Sequence, residues 1–400
     1  MRLRSAAVTA FLLALAIAGG AQLAPPSGLK SGLQSGSGRM VAFLARVARS
    51  ADPVVNIYLN RARAAGISSL LDKPMSPGQE LRLRVRIASE LLKGGQMREA
   101  IDELEFVRAE IDRRRLPAKE SYFRMLRDQL GIANLRVGEQ ESGKRPAHAW
   151  IFPMRESGGD AFEPGTRATI EHYTTNLQSW PDDLTTRWLL NIAYMAVGEY
   201  PGGVPERWLI PAAAFDSEYD IGRFRDVAAA AGVNAIGHAG GSVMEDLDGD
   251  GRHDIVASSR GLTDQLRYFH NAGDGTFADR TRQAGLEGQL GGLNLSHADY
   301  DNDGDRDLMV WRGAWMGEAG RHPNSLLQNR GDGYFEDATV QAGLLSLHPT
   351  HSGAWGDYDN DGWLDLYVGN ESVTKDDHPC QLFHNNGDGT FTDVAADVGV

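Results

Sequence analysis

Three stretches of this chain have residue types and spacing that could do chemistry: Asp246 to Asp254 (DLDGDGRHD), Asp299 to Asp307 (DYDNDGDRD) and Asp357 to Asp365 (DYDNDGWLD). Each places carboxylates at loop positions 1, 3, 5 and 9. These are Asp246, Asp248, Asp250 and Asp254, then Asp299, Asp301, Asp303 and Asp307, then Asp357, Asp359, Asp361 and Asp365. Position 6 is Gly251, Gly304 or Gly362, which permits a sharp turn. A folded surface gains nothing from so many like charges in so short a stretch, whereas a hard divalent cation requires them. Calcium takes roughly six to eight oxygens, which alternate side chains of a tight loop and a backbone carbonyl can supply. An acidic, solvated turn is the bland alternative, but solubility does not demand the same spacing in three copies.

The opening of the loop resembles an EF-hand, and the next residues exclude one. An EF-hand needs a bidentate Glu at position 12, where this chain has Ala257, Val310 and Val368. Position 10 is Ile255, Leu308 or Leu366, so the residues after the loop alternate as a half-buried strand does. The loop therefore leads into a strand.

The elements that must position these loops recur with them. Phe-x-Asp, a short Ala-rich stretch and Gly appear at Phe224 to Gly232, Phe277 to Gly285, Phe335 to Gly343 and Phe391 to Gly399. The first loop Asp follows 22 residues after Phe224, Phe277 and Phe335. Units of 53, 58 and 56 residues end in Asn-x-Gly-Asp-Gly-x-Phe, starting at Asn271, Asn329 and Asn385, and the Gly-Asp-Gly reads as a hairpin turn. Periods of this size with about four short strands predict propeller blades: three full repeats and the start of a fourth at Phe391. Three blades cannot close a ring, so the chain is expected to be a fragment of a longer protein, with exposed blade edges.

These loops, with the Asn-x-Gly-Asp-Gly-x-Phe-x-Asp strings, resemble FG-GAP/VCBS repeats, the units of integrin-type β-propellers. The strings Gly291 to Leu295 and Arg312 to Leu327 are similar to those of secreted bacterial relatives of cartilage acidic protein. In that family the propeller often follows tetratricopeptide-like helices and precedes an ASPIC/UnbV domain. The resemblance implies calcium at the twelve aspartates, with the carbonyls of Arg252, Asp305 and Trp363 as position-7 ligands.

Upstream, the pattern is helical. From Gln79 to Pro205 apolar residues recur on helical faces, among them Ile87, Leu91, Ala100, Leu104 and Val107, with a turn at Gly94 and Gly95. A similar pattern returns at Leu130, Gly131, Ala133 and Gly138, and again from Tyr173 and Pro181 to Trp188, Leu190, Tyr194 and Gly198. These stretches look like degenerate tetratricopeptide repeats, in which small residues let paired helices approach. Between them, Gly138 to Lys144 begins like a phosphate-binding loop, but Arg145 stands where Ser or Thr should hold a cation, and no strand precedes it.

The predicted order is a signal peptide over 1–21, a Gly/Ser/Pro linker over 22–38, a basic amphipathic helix and connection over 39–78, a tetratricopeptide-like domain over 79–215 and the blades over 216–400. Arg2 and Arg4, an apolar run from Ala6 to Ala18 and the small residues Gly19 to Ala21 carry the signal-peptide reading. The run is too short for a permanent span. The amphipathic helix could lie on a membrane, and packing against the following helices is the commoner use.

The fold class is thus multidomain α plus β, and the composition narrows the function. A formal charge of -14, from 54 acidic against 40 basic residues, argues against a nucleic-acid partner. One cysteine, Cys380, excludes an internal disulfide or a cysteine metal site, and it reads as a buried small residue. No nucleophile elbow, zinc-protease helix or dinucleotide fingerprint is present. His238, His297 and His351 precede the loops at unequal distances and read as packed or surface residues; Trp311, Trp315 and Trp355 read as buried between blades. The expectation is a secreted or periplasmic calcium-binding module that recognises a protein or carbohydrate. The alternatives are a propeller-based lyase or hydrolase, and a periplasmic assembly scaffold acting through the helices.

Overall fold

The computed structural model describes residues 36–141, 152, 163–216, 218–219, 224–372 and 378–400. The expected signal peptide, most of the linker and residues 142–144 of the stretch Gly138 to Lys144 lie outside them. The described part is α plus β, helices first and antiparallel sheets after.

Seven helices of two to six turns come first: α1 (Gly36–Ser50), α2 (Asn60–Ser68), α3 (Pro77–Lys93), α4 (Met97–Arg113), α5 (Glu120–Glu141), α6 (Glu163–Ser179) and α7 (Leu184–Ala196). Their ends follow local chemistry. Ser76 and Gln79 form a capping box before α3 with Pro77 at its first position, and Gly95 leaves it at φ 80°. Asp183 caps α7 by accepting from the amides of Thr185 and Thr186. From α2 to α7 each helix packs on the next. Leu81, Ile87, Leu91, Leu104, Val107 and Leu130 share one core, and Tyr173, Leu177, Leu190 and Trp208 another.

Helix α1 departs from expectation twice. It begins within the stretch assigned to the linker, and it packs on the sheets instead of on the helices that follow. Ser37 Oγ accepts from the amide of Asp337 at 2.9 Å, and the Val41 side chain lies over Gly288. Met40, Phe43, Leu44 and Val47 are buried along one face, and Arg46 lies over the ring of Phe43. The sheets offer this stripe an apolar surface that composition alone could not locate.

Three four-stranded antiparallel sheets follow in strict chain order. Sheet 1 holds β1 (Ser242–Glu245), β2 (Asp254–Ala257), β3 (Arg267–Asn271) and β4 (Phe277–Asp279). Sheet 2 holds β5 (Asn294–Ala298), β6 (Asp307–Trp311), β7 (Ser325–Asn329) and β8 (Phe335–Asp337). Sheet 3 holds β9 (Thr350–Gly356), β10 (Asp365–Asn370), β11 (Gln381–Asn385) and β12 (Phe391–Asp393). In each sheet the aspartate loop joins the first strand to the second, and Gly-Asp-Gly joins the third to the fourth.

This corrects the phase of the repeat. Phe391 does not start a fourth unit; it opens β12, the last strand of sheet 3. Phe277 and Phe335 likewise open β4 and β8, whereas Phe224 lies in no strand and is 92% exposed. A sequence period has no origin, and here the origin is set by the tight hairpin turn, which forces the strands on either side of it to pair.

Neighbouring sheets bury a shared core. Val243, Leu247, Val256, Tyr268, Leu308, Val310 and Phe335 join sheets 1 and 2; Tyr300, Met309, Trp311, Leu366, Val368 and Phe391 join sheets 2 and 3. Strand β6 is therefore buried on both faces. Polar staples add to this contact. Asn329 Nδ2 donates to the carbonyl of Leu247 in sheet 1's loop, and Asn385 Nδ2 to that of Tyr300 in sheet 2's loop, both at 2.8 Å. Among the described residues the three sheets remain separate, without ring closure. Tyr300 is 2% exposed under sheet 3, while its counterpart Tyr358 is 45% exposed.

Candidate metal centre

The three loops share one backbone. In sheet 1 the position-1 carboxylate, Asp246, accepts from the amides of Asp250 (3.2 Å) and Gly251 (2.9 Å), and Asp250 accepts from Arg252 N at 2.9 Å. In sheet 3 the same bonds run from Asp361 and Gly362 to Asp357 and from Trp363 to Asp361, at 2.9 to 3.1 Å. In sheet 2 Asp299 accepts from Gly304 N and Asp303 from Asp305 N, at 3.2 and 2.9 Å. Two positions require the left-handed region. Position 6 has φ of 84°, 98° and 93° at Gly251, Gly304 and Gly362, and position 4 has 72°, 58° and 62° at Gly249, Asn302 and Asn360. Gly and Asn tolerate that region, which explains the residue found at position 4.

The turn draws carboxylates together. Asp246, Asp248 and Asp250 bring one oxygen each within 4.8 Å of the others, as do Asp299, Asp301 and Asp303, and Asp357, Asp359 and Asp365. Several of these atoms are buried with no hydrogen bond: Asp248 Oδ1, Asp299 Oδ1 and Asp301 Oδ1. Asp248 and Asp301 are held above the usual carboxylate range, first by burial and then by neighbouring carboxylates, against the hydrogen bonds they accept. A bound cation answers both features, because it ligates orphaned oxygens and offsets like charge. The donor set therefore fits a hard divalent ion.

The ninth-position aspartates have a second task. Asp254, Asp307 and Asp365 are at most 1% exposed, at the first residue of β2, β6 and β10. Each accepts from the amide of the Asn that ends the sheet's third strand: Asn271, Asn329 and Asn385, at 2.8 to 2.9 Å. Asp307 and Asp365 also accept from the amides of Tyr300 and Tyr358, and Asp254 from the Tyr268 hydroxyl. Burial pushes Asp307 up to about 8, with the charges of Asp301 and Asp303 adding to it.

Position-7 residues face the hairpin turn. The side chains of Arg252, Asp305 and Trp363 lie over Gly273, Gly331 and Gly387, where a β-carbon would meet them at 3.2, 2.6 and 3.0 Å. The Arg252 guanidinium also pairs with Asp250.

One repeated position escaped the sequence reading. The residue before the third-strand Asn is His270, Gln328 or His384, and in each sheet it points at the position-3 aspartate. His270 Nδ1 lies 2.9 Å from Asp248, Gln328 Nε2 donates to Asp301 at 2.6 Å, and His384 Nδ1 lies 3.4 Å from Asp359. The signal was its fixed place beside the Asn-x-Gly-Asp-Gly motif. The histidines counted ahead of the loops sit elsewhere: His238 pairs with Asp264 at 2.8 Å, and His297 and His351 lie 4.0 Å from Glu245 and Glu371. Trp311 is buried and Trp355 stacks on Tyr300, but Trp315 is half exposed, against expectation, with its ring edge on His351. Cys380 is half-buried.

A family model described as FG-GAP-like repeat matches residues 246–310 and 299–368, which include all three loops. The human (Homo sapiens) cartilage acidic protein 1 is 30% identical over 160 residues, 39% of this chain and 23% of its own length. The mouse (Mus musculus) protein of that name is 29% identical over 182 residues, 41% of this chain and 27% of its own. The chain thus spans about a quarter of the length of the curated relatives it matches. Residues 246–368 are FG-GAP-like repeats.

Proposed function

We propose that this protein is an extracytoplasmic binding module built on β-propeller blades, with calcium as a structural staple in the three aspartate loops. The observation that carries the reading is the orphaned buried oxygens of Asp248, Asp299 and Asp301 in loops that converge three carboxylates at a time. Carboxylates at positions 1, 3, 5 and 9 and the backbone carbonyls of Arg252, Asp305 and Trp363 would hold the ion. When bound, it cross-links the first turn of each loop to the strand that follows. An empty loop leaves carboxylates in mutual repulsion; occupancy at 100 times the dissociation constant stabilises the fold by ~2.7 kcal/mol per site.

FG-GAP-like repeats support a module that recognises a protein, and the helices from α2 to α7, read as tetratricopeptide-like, add a second surface. No described helix is long and apolar enough to cross a membrane. Secretion rests on the leader read over 1–21.

Thermal unfolding with calcium and with chelator, together with a count of bound ions, tests the proposal. At least three ions and a large calcium-dependent rise are expected, and Asp301→Asn with Asp303→Asn should remove one ion and part of the rise. Equal unfolding in calcium and chelator, with no ion retained, refutes the staple.

A further inference from the structure

The loops are not equivalent. We propose that those of sheets 1 and 3 are mixed nitrogen and oxygen sites, which take a first-row divalent cation such as Zn²⁺ through His270 and His384, while the loop of sheet 2 offers oxygen only. This rests on the loops holding a cation: calcium fills all three where it is the ion present, and two of them prefer a first-row ion when one is supplied.

Sheet 1 carries the argument. His270 is 6% exposed on β3 and its Nδ1 is buried without a hydrogen bond. That nitrogen lies 2.9 Å from Asp248 Oδ2 and 3.3 Å from Asp254 Oδ1, so three electron-rich atoms converge with no hydrogen bond between the imidazole and either carboxylate. Donors that share a tetrahedral Zn²⁺ ion at ~2.0–2.2 Å stand about 3.3–3.6 Å apart, which the Asp254 separation matches and the Asp248 separation reaches with a shift of about half an ångström. The Tyr268 hydroxyl donates to Asp254 Oδ2 at 2.7 Å and the amide of Asn271 to Oδ1 itself at 2.8 Å, as hydrogen-bond partners orient metal-binding carboxylates.

Sheet 3 repeats the arrangement on its own residues. His384 Nδ1 makes no hydrogen bond and lies 3.4 Å from Asp359 and 3.2 Å from Asp365. Sheet 2 is the internal control, because Gln328 fills the same place as an amide donor to Asp301 at 2.6 Å. Calcium is ligated by oxygen, and imidazole nitrogen suits zinc and its neighbours, so one substitution in a repeat alters cation preference without altering the loop.

Calorimetric titration of the full chain with Zn²⁺ alone and, separately, with Ca²⁺ alone tests this. Wild type should bind two Zn²⁺ tightly. His270→Gln and His384→Gln should each lose one, with affinity at that loop falling roughly 100-fold or more, since loss of even a supporting partner costs about 10–100-fold. Gln328→His should gain a third. The Gln variants copy sheet 2's own residue, so they are expected to fold and to keep their calcium-dependent stability. If the histidines serve only as charge partners of the carboxylates, the double variant will bind two Zn²⁺ as tightly as wild type, which overturns the proposal, as does a wild type that binds none. Failure of the calcium reading looks different: no Ca²⁺ heat in any variant.

Discussion

Replacing Asn329 by alanine should cost far more than replacing Asn271, although both stand at the same place in the repeat. Asn329 is 1% exposed and uses its whole side chain: Nδ2 donates to Leu247 O in the neighbouring sheet (2.8 Å) and to Arg306 O (3.2 Å), and Oδ1 accepts from Gly331 N at 3.1 Å. Each such bond is worth ~1 kcal/mol net, and an acceptor left buried and unpaired adds ~1–3 kcal/mol. The expected loss is therefore about 4–6 kcal/mol. Asn271 bonds only within its own sheet, to His253 O at 3.0 Å and from Gly273 N at 2.9 Å, at exposed positions where water replaces it. Its replacement should cost about 1 kcal/mol. Urea unfolding at saturating calcium measures both, and Asn385→Ala, which loses the bond to Tyr300 O, should resemble Asn329→Ala. Equal losses at 271 and 329 would refute the idea that these asparagines join one sheet to the next. An altered ion count in Asn329→Ala would show instead that the side chain acts through the loop.

Other outcomes follow from the same geometry. Asp307, pushed up to about 8 by burial, favours its protonated form in the folded chain. Without a cation, the contribution of Asp307 to stability should be full below about pH 4 and lost as pH rises through about 8, and saturating calcium should flatten that loss; chelator-treated melts of wild type against Asp307→Asn across this range isolate it. Gly131→Ala should destabilise the helical part by ~1–3 kcal/mol, because a β-carbon there would lie 2.5 Å from the buried ring of Tyr173; thermal unfolding followed by circular dichroism at helical wavelengths reads it. Arg312→Met should cost about 3–5 kcal/mol in urea unfolding. Its buried guanidinium donates to the carbonyls of Leu290 and Pro323, to Ser325 Oγ and to Gln289 Oε1, and these would lose their donor.

The sequence by itself determined the local content of the fold. Alternation after each loop predicted β2, β6 and β10, the Gly-Asp-Gly turns predicted the hairpins, and the apolar spacing from Gln79 to Pro205 predicted helices, because each signal acts over a few residues. It also named the carboxylates at positions 1, 3, 5 and 9, since a tight turn makes alternate residues neighbours in space as well as in sequence. Tertiary structure decided what depends on distant segments. Only pairing across the hairpin could assign Phe391 to sheet 3, and only the apolar seat beside Gly288 could draw α1 onto the sheets. Only the return of β3 and β11 along the loops could bring His270 and His384 to Asp248 and Asp359, because connections of unequal length hide from the sequence which residues an antiparallel strand will carry back.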